Sequence, residues 1–100
     1  MSIDVTTQGG ETVIWVDRAL DCEAAARLRA LIRGALGGDP SSTVIVDLTH
    51  AHEVAPIALA ALVEAPADVR SRVRFRGLSH HAARLLHHLV GHGAAAGLGA

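Results

Sequence analysis

Apolar positions change period twice in the first forty residues. Residues 3 to 7 alternate apolar and polar side chains, the pattern of a strand covered on one face. Gly9-Gly10 follows, and then Thr12 to Val16, in which Val13, Ile14, Trp15 and Val16 are nearly continuous. Two β-rich runs joined by a Gly-Gly turn predict a hairpin. From Asp21 the period lengthens, and Ala24, Ala25, Leu28, Leu31, Ile32 and Ala35 recur at helical spacing. Arg27, Arg29 and Arg33 fall mostly on the other side of that helix. Asp21 is its expected N-cap, with Leu20 before it as a hydrophobic staple, and Gly37-Gly38-Asp39-Pro40 stops it.

The second half alternates strand and helix. Thr43-Val44-Ile45-Val46-Asp47-Leu48 is an apolar run bounded by turn residues, as a covered strand requires. Pro56 suits a first helical turn, Ile57, Leu59, Leu62 and Val63 continue a short helix, and Pro66 ends it. Arg72 to Arg76 alternates again, with Val73 and Phe75 on one side and three arginines on the other. Ser79 is placed to cap a last helix with the apolar stripe Ala82, Leu85, Leu86 and Leu89, which Gly91 and Gly93 are expected to close. The order β-β-α-β-α-β-α predicts an α/β fold. Its hairpin and right-handed crossovers give a mixed sheet of about four strands with helices packed on it. Without repeats or linkers, residues 1–93 read as one domain and 94–100 as a flexible tail.

Composition narrows the function. Half of the 100 residues are hydrophobic, but Trp15 and Phe75 are the sole aromatics, so the core rests on small aliphatic contacts. A net charge of -1, no basic stripe and two rings to stack on bases argue against nucleic acid as a partner. The single cysteine, Cys22, forbids an internal disulfide and fits a reducing compartment. Met1-Ser2-Ile3-Asp4-Val5 has no signal-peptide pattern, and the apolar stretch Pro56 to Ala65 falls short of the about 20 residues a membrane span needs. A cytoplasmic protein without direct membrane insertion is expected.

Three groups of residues invite a chemical reading. Of the seven histidines, His81, His88 and His92 share a sector of the last helix, and His88 and His92 have the i, i+4 spacing of a metal-binding pair. No carboxylate or cysteine on that helix completes the site, so solvated histidines are the simpler reading, with acid sensing as an alternative. Cys22 at a helix start is placed for a lowered thiol pKa but lacks a partner in sequence. Asp47, His50, His52 and Glu53 can be drawn as a catalytic cluster. Yet the chain has no nucleophile elbow, Gly-rich phosphate loop or paired-carboxylate spacing, and Asp47 is expected to hold its loop through backbone N–H groups. Neither catalysis nor a cofactor is expected.

Three segments, taken in order, resemble the STAS domain family, that of bacterial anti-sigma-factor antagonists and of modules in anion transporters. They are Ala19-Leu20-Asp21 opening the first helix, Val46-Asp47-Leu48-Thr49 ending the third strand, and Arg76-Gly77-Leu78-Ser79 before a helix containing Arg84-Leu85-Leu86. The resemblance runs from about Ile3 to Gly93. It implies a regulatory domain that binds an anti-sigma factor or a kinase-like ATPase domain, or else an accessory subunit on the cytoplasmic ATPase of a transport complex. The family's regulatory motif, Asp-Ser-Ser/Thr-Gly at the start of the second helix, reads Ala55-Pro56-Ile57-Ala58 here. The position of the phosphorylated hydroxyl therefore falls on Ile57, and the usual phosphorylation switch has no acceptor there. The implied contact surface comprises His50, His52, Glu53, Pro56, Ile57, Ala60 and Ala61. Ile57 either turns inward as core or forms, with Pro56, Ala60 and Ala61, a constitutively apolar docking patch. A small-ligand or anion sensor built on the loop between third strand and second helix is a further possibility.

Overall fold

The computed structural model describes residues 2–38, 40–65 and 67–98, with side chains described for 3–38, 40–65 and 68–89. Strands β1 (Ser2–Gln8) and β2 (Glu11–Leu20) form the expected antiparallel hairpin around Gly9 and Gly10, both at positive φ. Helix α1 (Cys22–Leu36) follows, and then β3 (Thr43–Asp47), β4 (Ala51–Val54), α2 (Pro56–Val63), α3 (Ala67–Arg70), β5 (Val73–Arg76) and α4 (His80–Leu98). The sheet has five strands in the order β1-β2-β3-β5, with β4 paired to β2 off that path. All pairings except the hairpin are parallel, as the crossovers demand.

Ile14, Val16, Val44 and Val46 are fully buried on one face of the sheet, and Val73 and Phe75 join them by register with Val44 and Val46. Helix α1 lays Ala24, Ala25, Leu28, Ile32 and Leu36 on that face, and α2 adds Ala58, Leu59 and Leu62. Val13, Trp15 and Ile45, at the alternate positions, are half-buried. Asp21 caps α1 as expected, accepting a 2.8 Å bond from the Ala24 N–H, and the Ser79 hydroxyl accepts from the Ala82 N–H at 3.1 Å. The C-terminal end of α1 is held from another element. Arg72 donates from Nε to the Ser42 carbonyl (3.0 Å) and from Nη2 to the Leu36 carbonyl (3.2 Å) and the Ser42 hydroxyl (2.9 Å). That hydroxyl in turn donates to the Ala35 carbonyl. The guanidinium and the Ser42 hydroxyl it holds thus satisfy two carbonyls, Leu36 and Ala35, at a helix end that the helix itself cannot pair.

Five expectations need correction. The sheet has a fifth strand, β4, whose sequence Ala-His-Glu-Val carries little strand propensity; β4 forms because the end of β2 offers it a ladder. Strand β2 runs on to Leu20, past Asp17 and Arg18, through a bulge at Arg18/Ala19. The short helix α3 follows Pro66 without a periodic signal of its own. Leu31 is exposed, since the buried stripe of α1 runs through Leu28, Ile32 and Leu36 beside it. Finally, α4 continues through Gly91 and Gly93 to Leu98, because glycine weakens a helix by only about 1 kcal/mol and three alanines follow at 94–96. Residues 99–100 of the expected tail lie outside the described residues.

Candidate partner-docking surface

The surface around residues 50 to 57 is built where β3 ends and the chain crosses to the tail of β2. By Leu20↔Val54 the partner of β2 has gained two residues over the Glu11↔Thr43 register. Arg18 absorbs the slip with φ 72, the sole non-glycine positive φ among the described residues. Its N–H donates to Asp17 Oδ1 (3.0 Å) and to the His50 carbonyl (3.1 Å), which fixes the entry to β4. At the exit, the Ala55 N–H donates to the Leu20 carbonyl at 2.9 Å and so seats the start of α2 on β2.

Below this loop lies the one ion pair found among the described residues. Asp47, nearly buried at the end of β3, accepts from the Thr49 N–H at 2.8 Å and from Arg76 Nε at 2.8 Å. Burial pushes the Asp47 carboxyl pKa up. Hydrogen bonds from the Thr49 hydroxyl and N–H, together with Arg76 and its charge, outweigh burial and hold the pKa below the usual value. Asp47 therefore organises the loop as the sequence suggests. Gly77, at φ 74, closes against the same turn: a Cβ there would stand 2.5 Å from the Thr49 nitrogen and 2.7 Å from its Cα. Glycine is required on both counts.

The expected site residues divide by position. Pro56 and Ile57 stand at the first turn of α2, which Ala55 begins without a side-chain cap. Ile57 is 69 % exposed, more than the other two exposed large hydrophobics among the described residues, Val5 and Leu31. The inward alternative for Ile57 is thereby removed. Ala60 and Ala61 are half-buried, because Ala58, Leu59 and Leu62 turn α2 inward against α1. His50, His52 and Glu53 are exposed on β4 and its lead-in. His52 also borders a separate recess of about 170 Å³, with Ser79 and His81 at the start of α4. The hydroxyl closest in sequence upstream of Ile57 belongs to Thr49 and is engaged by Asp47.

Among the described residues no three His, Cys, Asp or Glu side chains come together as a metal site, and the His92 side chain lies outside them. Cys22 is exposed at the start of α1. No described helix is long and apolar enough to cross a membrane. Sequence reasoning missed the positive φ of Arg18 and the Asp47–Arg76 pair. The second was legible in part, since parallel register sets the last residues of β3 and β5 side by side.

A search of curated proteins finds no match. The family model of the STAS domain matches residues 2–93, nearly the whole chain and all five strands. With its mixed sheet, hairpin start and α2 seated at the end of β2, the chain belongs to the STAS domain family.

Proposed function

We propose that this protein is a non-catalytic regulatory domain that resembles an anti-sigma-factor antagonist, and that it docks on its partner through Pro56 and Ile57 without a phosphorylation switch. STAS domains typically mediate protein–protein interactions and are generally non-catalytic. The observation that carries the docking reading is the exposure of Ile57 at the start of α2. A phosphate on a helix N-terminus gains from the free N–H groups and dipole there, and adds charge and bulk to the surface. Ile57 offers neither chemistry, and an exposed isoleucine flanked by proline suits an apolar pocket on a partner. His50, His52 and Glu53 form the polar edge of the surface, with Ala60 and Ala61 contributing at its margin.

A second reading rests on the same side chain. A surface that no kinase can switch suits a permanent subunit, so the partner in that case is the cytoplasmic ATPase of a membrane transport complex.

The test is affinity capture from native lysate with the wild-type chain and Ile57→Asp in parallel. Because Ile57 is largely solvent-exposed, the variant is expected to keep its stability within about 0.5 kcal/mol. Loss of a kinase-like ATPase or anti-sigma factor supports the first reading, and loss of a transporter ATPase the second. A partner retained by the folded variant overturns the assignment of this surface.

A further inference from the structure

A groove of about 760 Å³ lies at the opposite end of α2 from Ile57, within the roughly 300–1,000 Å³ usual for small-molecule sites. Its floor is apolar and drawn from four elements: Ile32 of α1, Leu62 of α2, Phe75 of β5 and Leu86 of α4. Its rim is basic. Arg29 and Arg33 stand one turn apart on α1, Arg70 comes from α3 and Arg74 from β5, against a single lining carboxylate, Glu64.

Four of the chain's nine basic residues thus surround one apolar surface in a protein whose net charge is -1. Among the described residues none of the four forms an ion pair, whereas Arg76 does. Arg70 Nε is buried without a hydrogen-bond partner, a costly position for a charged group. Unpaired guanidinium groups over an apolar trough define a ligand with two parts. The planar forks match a carboxylate, and the floor takes an alkyl chain.

We infer that this groove binds a free single-chain fatty acid, its carboxylate among the rim arginines and its chain along Leu62, Phe75 and Leu86. The groove shares no residue with the docking surface at Ile57, so either assignment can fail alone.

The experiment is a titration of the isotope-labelled full chain with sodium dodecanoate below its micelle concentration, followed by amide NMR. Saturable shifts are expected in β5 and around Leu86. Affinity should rise about fourfold for each added methylene from decanoate to tetradecanoate. Methyl dodecanoate, with the same chain but no charge, should bind at least tenfold more weakly to the wild-type protein. Arg33→Glu with Arg74→Glu, both at exposed positions, should weaken dodecanoate to the same degree. Absence of saturable shifts, equal binding of the methyl ester, or undiminished binding by the folded double variant overturns the assignment. Binding of an acidic amphipathic peptide in the groove where dodecanoate does not bind overturns it as well, and makes the groove a protein interface.

Discussion

Gly77→Ala should be among the most damaging single-atom additions available in this chain. Two independent costs meet at the site. The φ of 74 places an alanine in the left-handed region, at about 1 kcal/mol. The new methyl also lands 2.5 Å from the Thr49 nitrogen and 2.7 Å from its Cα. Those are backbone atoms, so no rotamer change clears the space, and the β3–β4 turn must shift at a further cost of about 2 kcal/mol. The total of about 3 kcal/mol is a large share of a small domain's stability and should lower Tm by about 15 °C. Gly10→Ala isolates the first cost. Gly10 has φ 81 with nothing within 4 Å of its would-be Cβ, so about 1 kcal/mol and about 5 °C are expected. Thermal unfolding followed by circular dichroism, with urea midpoints as a second reading, measures both. Thr49→Ala combined with Gly77→Ala removes the hydroxyl but not the backbone contacts, and should rescue little. Equal losses in Gly77→Ala and Gly10→Ala would refute the contact argument, and full rescue by Thr49→Ala would trace the clash to the side chain alone.

Three further outcomes follow from the hydrogen bonds and the backbone geometry described above. Because the folded-state pKa of Asp47 is depressed, its contribution is present above the unfolded value of 3.8 and is lost as pH falls through the folded pKa. Unfolding free energies of wild type and Asp47→Asn from urea titrations should therefore differ by about 1.5 kcal/mol at pH 7 and converge in acid, whereas a constant gap would refute the electrostatic origin. Arg72→Ala strips donors from the Leu36 and Ser42 carbonyls and should lower stability by about 2 kcal/mol, with amide exchange accelerated at the C-terminal turn of α1. Arg18→Gly relieves a left-handed arginine and should stabilise the protein by about 1 kcal/mol in the same unfolding assay.

What the sequence revealed and concealed divides along one physical line. Features decided locally were legible: the Gly9-Gly10 hairpin, the Asp21 cap, the inward stripe of α1 apart from Leu31, and the missing hydroxyl at Ile57. Features created by another segment were not. Strand β4 owes its existence to the exposed end of β2, and nothing in Ala-His-Glu-Val announces it. Arg18 reads as an ordinary polar residue, because its backbone conformation is set by the slip in register to β4. Ile57 was undecidable from α2 itself: nearly all of Pro56–Val63 is apolar, so no polar face indicates which side is wet. The rim arginines of the groove come from α1, α3 and β5, and only the fold assembles them.

Strand β2 borders β1, β3 and β4, with partners drawn from residues 2–8, 43–47 and 51–54. The first is recruited across a two-residue turn and forms as a local hairpin. The others wait until α1 has carried the chain back across the sheet, and closing that longer loop sets the pace of folding. Once all three are zipped, β2 cannot leave the sheet without breaking every ladder it shares. The edge strands β1 and β5 are each free of that constraint. Breathing motions of the native protein therefore begin at those edges, and β2 is the last segment to let go.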